Sequence, residues 1–287
     1  MKPILIVPIL GGMFLFSVAA QETVKPPEQT AGQTVQLTPA KREAMDQLNE
    51  AARQYREGHF AEARQHSEKA LALDPLNKTA PFFIARTIHA QYQPGDKSEA
   101  NIAIAREAIE AYKRILAPDP QNEEAYKAVA YFYSVLKEEE LLRQWLVQRA
   151  LDPTFSNDKR AEAFVVLGSK GWDCSFKLTE LPTNKITVVK GGSLKIQYIS
   201  PKDPAEFQKA RQCADEGLAF VENAIALDPD SESAWSYKTN LLLELSKLAE
   251  MDHKLLLKAE YEKQSVAAQN TTFELSKKRQ DQRTTKP

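Results

Sequence analysis

At 287 residues, with 43% apolar and 27% charged residues, the chain has ordinary globular composition and the length for one large domain or two small ones. Lysine plus arginine (38) nearly cancels aspartate plus glutamate (39), so no global field draws the protein to nucleic acid or to an anionic membrane surface. Only ten glycines, set among long stretches rich in Ala, Leu, Glu, Lys, Arg and Gln, favour helix over a sheet-based fold.

Residues 1–20 differ from all that follows. Lys2 supplies a positive start, Ile4 to Phe16 form an apolar run interrupted by Pro8 and Gly11-Gly12, and Val18-Ala19-Ala20 places small residues where a signal peptidase reads them. The segment reads as a signal peptide cut between Ala20 and Gln21. The alternative is an uncleaved anchor, but the run falls short of the roughly 20 apolar residues that span a bilayer. No later segment has transmembrane length, so no stable membrane span is expected after processing, and no cysteine near the cut suggests a lipoprotein. Residues 21–37 turn to Pro, Gln, Thr and Gly without periodicity and read as a flexible linker.

A helical repeat domain is expected over residues 38–275. Thr38-Pro39 is a good helix start, because threonine caps and proline suits the first helical position. Apolar residues then recur at Ala44, Met45, Leu48, Ala51, Ala52 and Tyr55, one face of a 3.6-residue period, until Gly58. A second amphipathic stretch runs from Phe60 to Leu73 and stops at Asp74-Pro75. Asp-Pro closes further helical stretches at Asp119-Pro120, Asp152-Pro153 and Asp228-Pro229, often after Ala-Leu or Ile-Ala-Leu.

This recurrence resembles the tetratricopeptide repeat (TPR), a helix–turn–helix unit of about 34 residues. Tyr126, Val129, Ala130, Tyr133 and Pro153 match the family's spacing apart from a one-residue deletion. Phe164, Leu167 and Gly168 match the first half of the next unit, Gly58, Ala63, Ala70 and Pro75 the second half of the first, and Trp235 opens the last. Ala108, Tyr112, Pro120 and Pro229 complete the set of expected repeat-packing residues. The departures are a lengthened second repeat, with a turn at Pro94-Gly95, a widely split fourth repeat, and Lys238 and Thr239 where the family prefers Leu and Gly. The resemblance implies an all-α, TPR-like superhelix of stacked hairpins, with small residues such as Ala51, Ala130 and Gly168 at close helix approaches and Tyr112, Phe132, Tyr133 and Trp235 filling gaps. It also implies an inner groove, lined by the first helix of each pair, that holds a peptide or partner protein.

Residues 171–203 form the expected insertion in the fourth repeat, with Gly168 ending the first helix and Pro204 starting the second. Ile186–Val189 and Leu194–Ile199, flanking Gly191-Gly192-Ser193, read as a β-hairpin, with Trp172, Phe176 and Leu178 as its contacts to the helices. Cys174 and Cys213 are the only cysteines and are either a disulfide pinning the hairpin root or two buried thiols. If bridged, their reduction is expected to loosen the hairpin lobe before the stack melts. Residues 276–287 read as a disordered basic tail.

Catalytic signals are sparse. His59, His66, His89 and His253 fall in no metal spacing and read as surface or turn residues. Asp228, Asp230 and Glu232 open like a calcium loop, but Ser233 stands where glycine is required. Lys190-Gly191-Gly192-Ser193 lacks the strand-to-helix setting of a phosphate loop, and no GxSxG or paired-cysteine metal motif is present. The expectations are a non-catalytic chain with no cofactor and no metal, exported, with the periplasm as its place and a secreted or surface location as the alternative, and acting as a scaffold or adaptor. A self-assembling envelope component is the alternative, and an enzyme a distant third.

Overall fold

The computed structural model describes residues 37–284. The expected signal peptide, the linker up to residue 36 and the last three residues lie outside the described residues. Within them the chain is an all-α, TPR-like stack of antiparallel helical hairpins carrying one two-stranded insertion. The pairs are α1 (Pro39–Arg56) with α2 (Phe60–Leu73), α3 (Ala80–Gln91) with α4 (Glu99–Leu116), α5 (Glu123–Val135) with α6 (Glu139–Leu151), α7 (Asn157–Thr179) with α8 (Pro204–Leu227), and α9 (Glu232–Met251) with α10 (Leu255–Thr284).

Local chemistry sets these boundaries. The Thr38 hydroxyl accepts from the Lys41 N–H, Ser98 from Asn101, Asn122 from Ala125 and Ser231 from Ala234, each satisfying an amide that the helix leaves without a partner. Gly58, at φ +81°, ends the first helix in a left-handed conformation that a side chain would strain. The loop that lengthens the second repeat is fixed by one buried side chain: Asn101 accepts from the Gln93 N–H and donates to the carbonyls of Gln93 and Asp96, all at 2.8 Å.

The main core runs through the second, third and fourth hairpins, where Tyr112 and Phe132 are fully buried among Ala85, Ala105, Ala108, Ala125, Val129 and Ala161. Alanines at the crossings let helices approach, and each fully buried large side chain contributes about 1.5–3 kcal/mol. Smaller clusters close the ends, around Ala44 and Ala70 of the first repeat with Ala80 of the second, and around Leu245, Leu248 and Met251 in the last.

Helix α7 does not stop at Gly168. It continues through Gly168 and Gly171 to Thr179, so the first part of the expected insertion is helical. The reason is tertiary. A Cβ on Gly171 would lie 2.6 Å from the Cys213 carbonyl oxygen and 2.7 Å from the Gly217 Cα, so α7 and α8 touch backbone to backbone. That packing offsets the roughly 1 kcal/mol each glycine costs a helix. Just beyond the seam Cys174 and Cys213 are bonded, with an S–S distance of 2.02 Å.

The insertion proper is a short 3-10 turn, Pro182–Asn184, followed by antiparallel strands β1 (Lys185–Lys190) and β2 (Ser193–Tyr198). Gly191 and Gly192, at φ +64° and +75°, make the two-residue turn, a conformation open to glycine at little cost. The expected contacts are redistributed. Trp172 packs on Phe176 and on Tyr237 of α9 instead of on the hairpin, while Leu178 shares a cluster with Tyr198 at the end of β2.

The basic tail expected from residue 276 is instead the end of α10, which continues to Thr284. Lys278 reaches Asp230 and Arg279 reaches Glu232, both at 2.9 Å, so charges at the start of α9 hold the last turns of its partner. No helix among the described residues is long and apolar enough to cross a membrane.

Candidate partner-binding face and hairpin lobe

The first helices of the middle repeats share a face stitched together by side chains. Arg86 on α3 makes a two-pronged ion pair with Glu124 on α5 at 2.6 and 2.5 Å, and Lys127 on α5 reaches Glu162 on α7 at 2.9 Å. These pairs fall one helix apart in register, so the face carries alternating charge that is internally neutralised. Exposed pairs of this kind add little stability and mainly fix side-chain positions.

Behind the charges lies an aromatic group. Tyr131 stacks on His89 at 5.7 Å, Phe132 meets the same imidazole edge-on at 4.7 Å, and Tyr92 closes the far side against Phe132 at 5.4 Å. His89 Nδ1 is 3.1 Å from the Tyr112 hydroxyl. His89 is therefore half-buried, unlike the surface position expected for the histidines, and burial pushes its pKa below the usual imidazole value. His66 is likewise half-buried, in the middle of α2 against Gln47 of α1, whereas His59 is exposed before α2 and His253 occupies a turn at φ +56°, as expected. Tyr92 and Tyr131 keep part of each ring accessible, giving rigid amphipathic contact area at low entropic cost.

A second constellation was not legible in the sequence. Arg149 on α6 is only 3% exposed; its guanidinium lies 3.9 Å from the Tyr126 ring centre and 5.0 Å from that of Phe155. It pairs with Glu123, which Lys159 also reaches at 2.9 Å. Burial alone would raise the Glu123 pKa, but these two cations outweigh it and hold the carboxyl below its usual range. Trp145 also stacks on Tyr126, at 5.4 Å. The signal in the sequence was weak, because an arginine on an otherwise apolar helical face reads like any solvated charge until its cage is known.

The hairpin root holds a third polar group. Glu180, at the end of α7, receives hydrogen bonds from Lys185 (2.8 Å), Tyr198 (2.8 Å) and Lys247 of α9 (2.7 Å). Lys247 also donates to the buried Glu244 at 2.6 Å, and Glu244 accepts from the Thr179 hydroxyl at 2.6 Å. Every acid here is matched by donors, so the arrangement acts as a polar tether. No cluster of three or more His, Cys, Asp or Glu side chains able to hold a metal occurs among the described residues.

The repeat-packing residues divide in two. Ala63, Ala70, Ala108, Tyr112, Tyr133, Leu167 and Gly168 are buried at helix contacts, and Tyr126 and Ala130 are half-buried. Gly58, Pro75, Pro120 and Pro229 are exposed turn residues, which shape the stack through the backbone instead. Trp235 is half-exposed, its indole N–H donating to the Pro229 carbonyl at 2.9 Å.

No protein-family profile and no curated protein sequence matches the chain. Among solved structures it is similar to MamA, at 14% identity over 84% of this chain and 95% of that one, with a TM-score of 0.43. It is also similar to YrrB, described as a TPR protein with an unusual peptide-binding site, at 15% identity over 78% and 93% of the two chains and a TM-score of 0.37. The third is PilF of Pseudomonas aeruginosa, at 15% identity over 78% and 90% and a TM-score of 0.36. These likenesses are distant, and the fold described above rests on the chain's own hairpins.

Proposed function

We propose that the protein is a non-catalytic scaffold or adaptor that holds an extended peptide or partner protein against the face formed by α3, α5 and α7. The observation that carries this reading is the pair of part-exposed tyrosines, Tyr92 and Tyr131, beside the cross-helix pairs Arg86–Glu124 and Lys127–Glu162. Such a face is held by rigid helices, so a ligand meets groups already in place and loses less entropy on ordering them. Its neutralised charges favour a partner chosen by shape and aromatic contact over one chosen by net charge. A display of peptides spanning polar, aromatic and proline-rich sequences should yield binders to the chain beginning at Gln21. Binding should fall about tenfold or more in Tyr131→Ala with helical content retained. Binding that survives both Tyr131→Ala and Arg86→Ala would place the ligand elsewhere.

The compartment in this reading is the cell envelope, reached by cleavage after Ala20. The Cys174–Cys213 disulfide supports an oxidising compartment. Sequencing the mature N-terminus tests the placement: Gln21 is expected, and an intact Met1 in the envelope fraction would refute it. Self-assembly is the second reading, favoured by Leu256, Val266 and Phe273, which α10 leaves exposed. A sedimentation-equilibrium mass that rises with concentration and falls back in Phe273→Glu would support it.

A further inference from the structure

The hairpin lobe extends beyond its tether in an asymmetric way. Direct cross-strand partners share a face, so Val189 with Leu194 and Thr187 with Ile196 form one side of the ribbon, and Val188 with Lys195 the other. On the first side Val189 and Leu194 are each 74% exposed and Ile196 61%, a cluster of aliphatic groups that the fold leaves in water. The other side carries the exposed Lys195 together with Gln197 and Ile186, the last 43% exposed. The strands hold Lys185, Lys190 and Lys195 and no acidic residue, and of these Lys185 is already paired with Glu180.

The backbone adds a second, independent feature. A two-residue turn makes Lys190 and Ser193 a hydrogen-bonded pair, and the Ile199 N–H donating to the Asn184 carbonyl at 3.0 Å keeps the same phase at the root. The N–H and C=O groups of Ser193, Lys195 and Gln197 therefore point into the ladder, and those of Leu194 and Ile196 point outward from β2. No backbone partner for these outward groups occurs among the described residues. An exposed aliphatic strand with a free edge is a template for another strand.

The geometry points to β2 as a docking edge for an extended segment of a partner protein, one that alternates aliphatic and acidic residues. Added beside β2, such a segment would hydrogen-bond Leu194 and Ile196, set its aliphatic side chains against those of Leu194 and Ile196, and set its carboxylates against Lys195. The charge pattern decides the occupant. A second copy of β2 would bring lysine toward lysine, and a lipid surface would have to desolvate the outward amides and carbonyls without pairing them. This site is separate from the face on α3, α5 and α7, and neither depends on the other.

A fluorescein-labelled synthetic strand alternating valine and glutamate tests this with the chain beginning at Gln21. Saturable anisotropy binding is expected, with the Leu194 and Ile196 amides newly protected from hydrogen exchange. Ile196→Pro removes an outward N–H while the ladder bonds remain, and Lys195→Glu reverses the charge without touching the backbone. Each should weaken binding about tenfold or more, whereas Thr187→Pro, on the opposite edge, should leave it unchanged. A valine–lysine strand should not bind. The inference is overturned if the valine–glutamate strand does not bind, or if both β2 variants bind it like the parent. It is equally overturned if Thr187→Pro abolishes binding, if the hairpin instead binds phosphatidylglycerol vesicles, or if it self-associates in a manner that Ile196→Pro removes.

Discussion

Lys247 on α9 donates to Glu180 at the end of α7 across 2.7 Å, and through that contact the hairpin is fastened to a helix far from it in sequence. Burial would raise the Glu180 pKa, but the hydrogen bonds from Lys185 and Lys247 outweigh it and lower the value from 4.5 to about 2. A carboxyl whose folded pKa is depressed stabilises the fold above its unfolded value and loses that contribution as protons bind the folded form. The hairpin should thus be tightly held above about pH 4.5 and released progressively toward pH 2. Hydrogen exchange of the β1–β2 ladder across this range should show opening there ahead of the helices. Lys247→Met should reproduce the opening at neutral pH, and a ladder as protected as the parent's would refute the tether.

The α7–α8 seam predicts an order among glycine substitutions. Gly171→Ala places its methyl against backbone atoms, which cannot move aside, whereas Gly217→Ala first meets the Leu241 side chain at 2.8 Å. Gly171→Ala should be the more damaging, destabilising by about 1–3 kcal/mol or more, as overpacked sites do. Urea unfolding midpoints measure the difference, and equal midpoints for the two variants would contradict backbone contact at Gly171.

The disulfide and the hairpin should come apart as separate events. Cys174–Cys213 spans 39 positions, for which the chain-entropy picture gives about 4 kcal/mol, often less in practice. It joins two helices already packed at the glycine seam, and the hairpin has its own anchor in Glu180, Lys185, Tyr198 and Lys247. Reduction should therefore lower the unfolding midpoint of the stack while leaving exchange in the β ladder close to the oxidised level. This departs from the sequence-based expectation of early lobe loosening. Selective loss of ladder protection on reduction would restore that expectation.

Arg149 predicts a failure of conservative replacement. Its planar guanidinium lies over Tyr126 while pairing with Glu123, a combination that the compact ammonium of lysine reproduces poorly. Arg149→Ala should destabilise by about 1–3 kcal/mol, through the lost contact with Tyr126 and the lost hydrogen bond to Glu123, which stays part-exposed and keeps Lys159. Arg149→Lys should recover only part of that loss in thermal or urea unfolding, and full recovery would show that charge alone matters.

The hairpin periodicity, the Asp-Pro stops after α2, α6 and α8, the cap at Thr38 and the Gly191-Gly192 turn were all legible in the sequence, because each depends on residues within a few positions of one another, whereas α4 ends at Leu116, short of the expected stop at Asp119-Pro120. Local conformational preference and a 3.6-residue apolar stripe are properties of a short segment, and they reach the structure unaltered. Asn101, Arg149 and Glu244 were not legible, since a polar residue on a helical face looks solvated until distant segments supply its partners.

The sequence by itself determined that this chain is a succession of helical hairpins with one β insertion. Only the tertiary structure decided where α7 and α10 end. At Gly171 local propensity favours a break and at Lys278 a loose tail, but backbone contact with α8 and ion pairing with the start of α9 outweigh those preferences. Tertiary structure also decided which charges are buried, because burial is set by whichever helix lies across the face, and no local pattern records that.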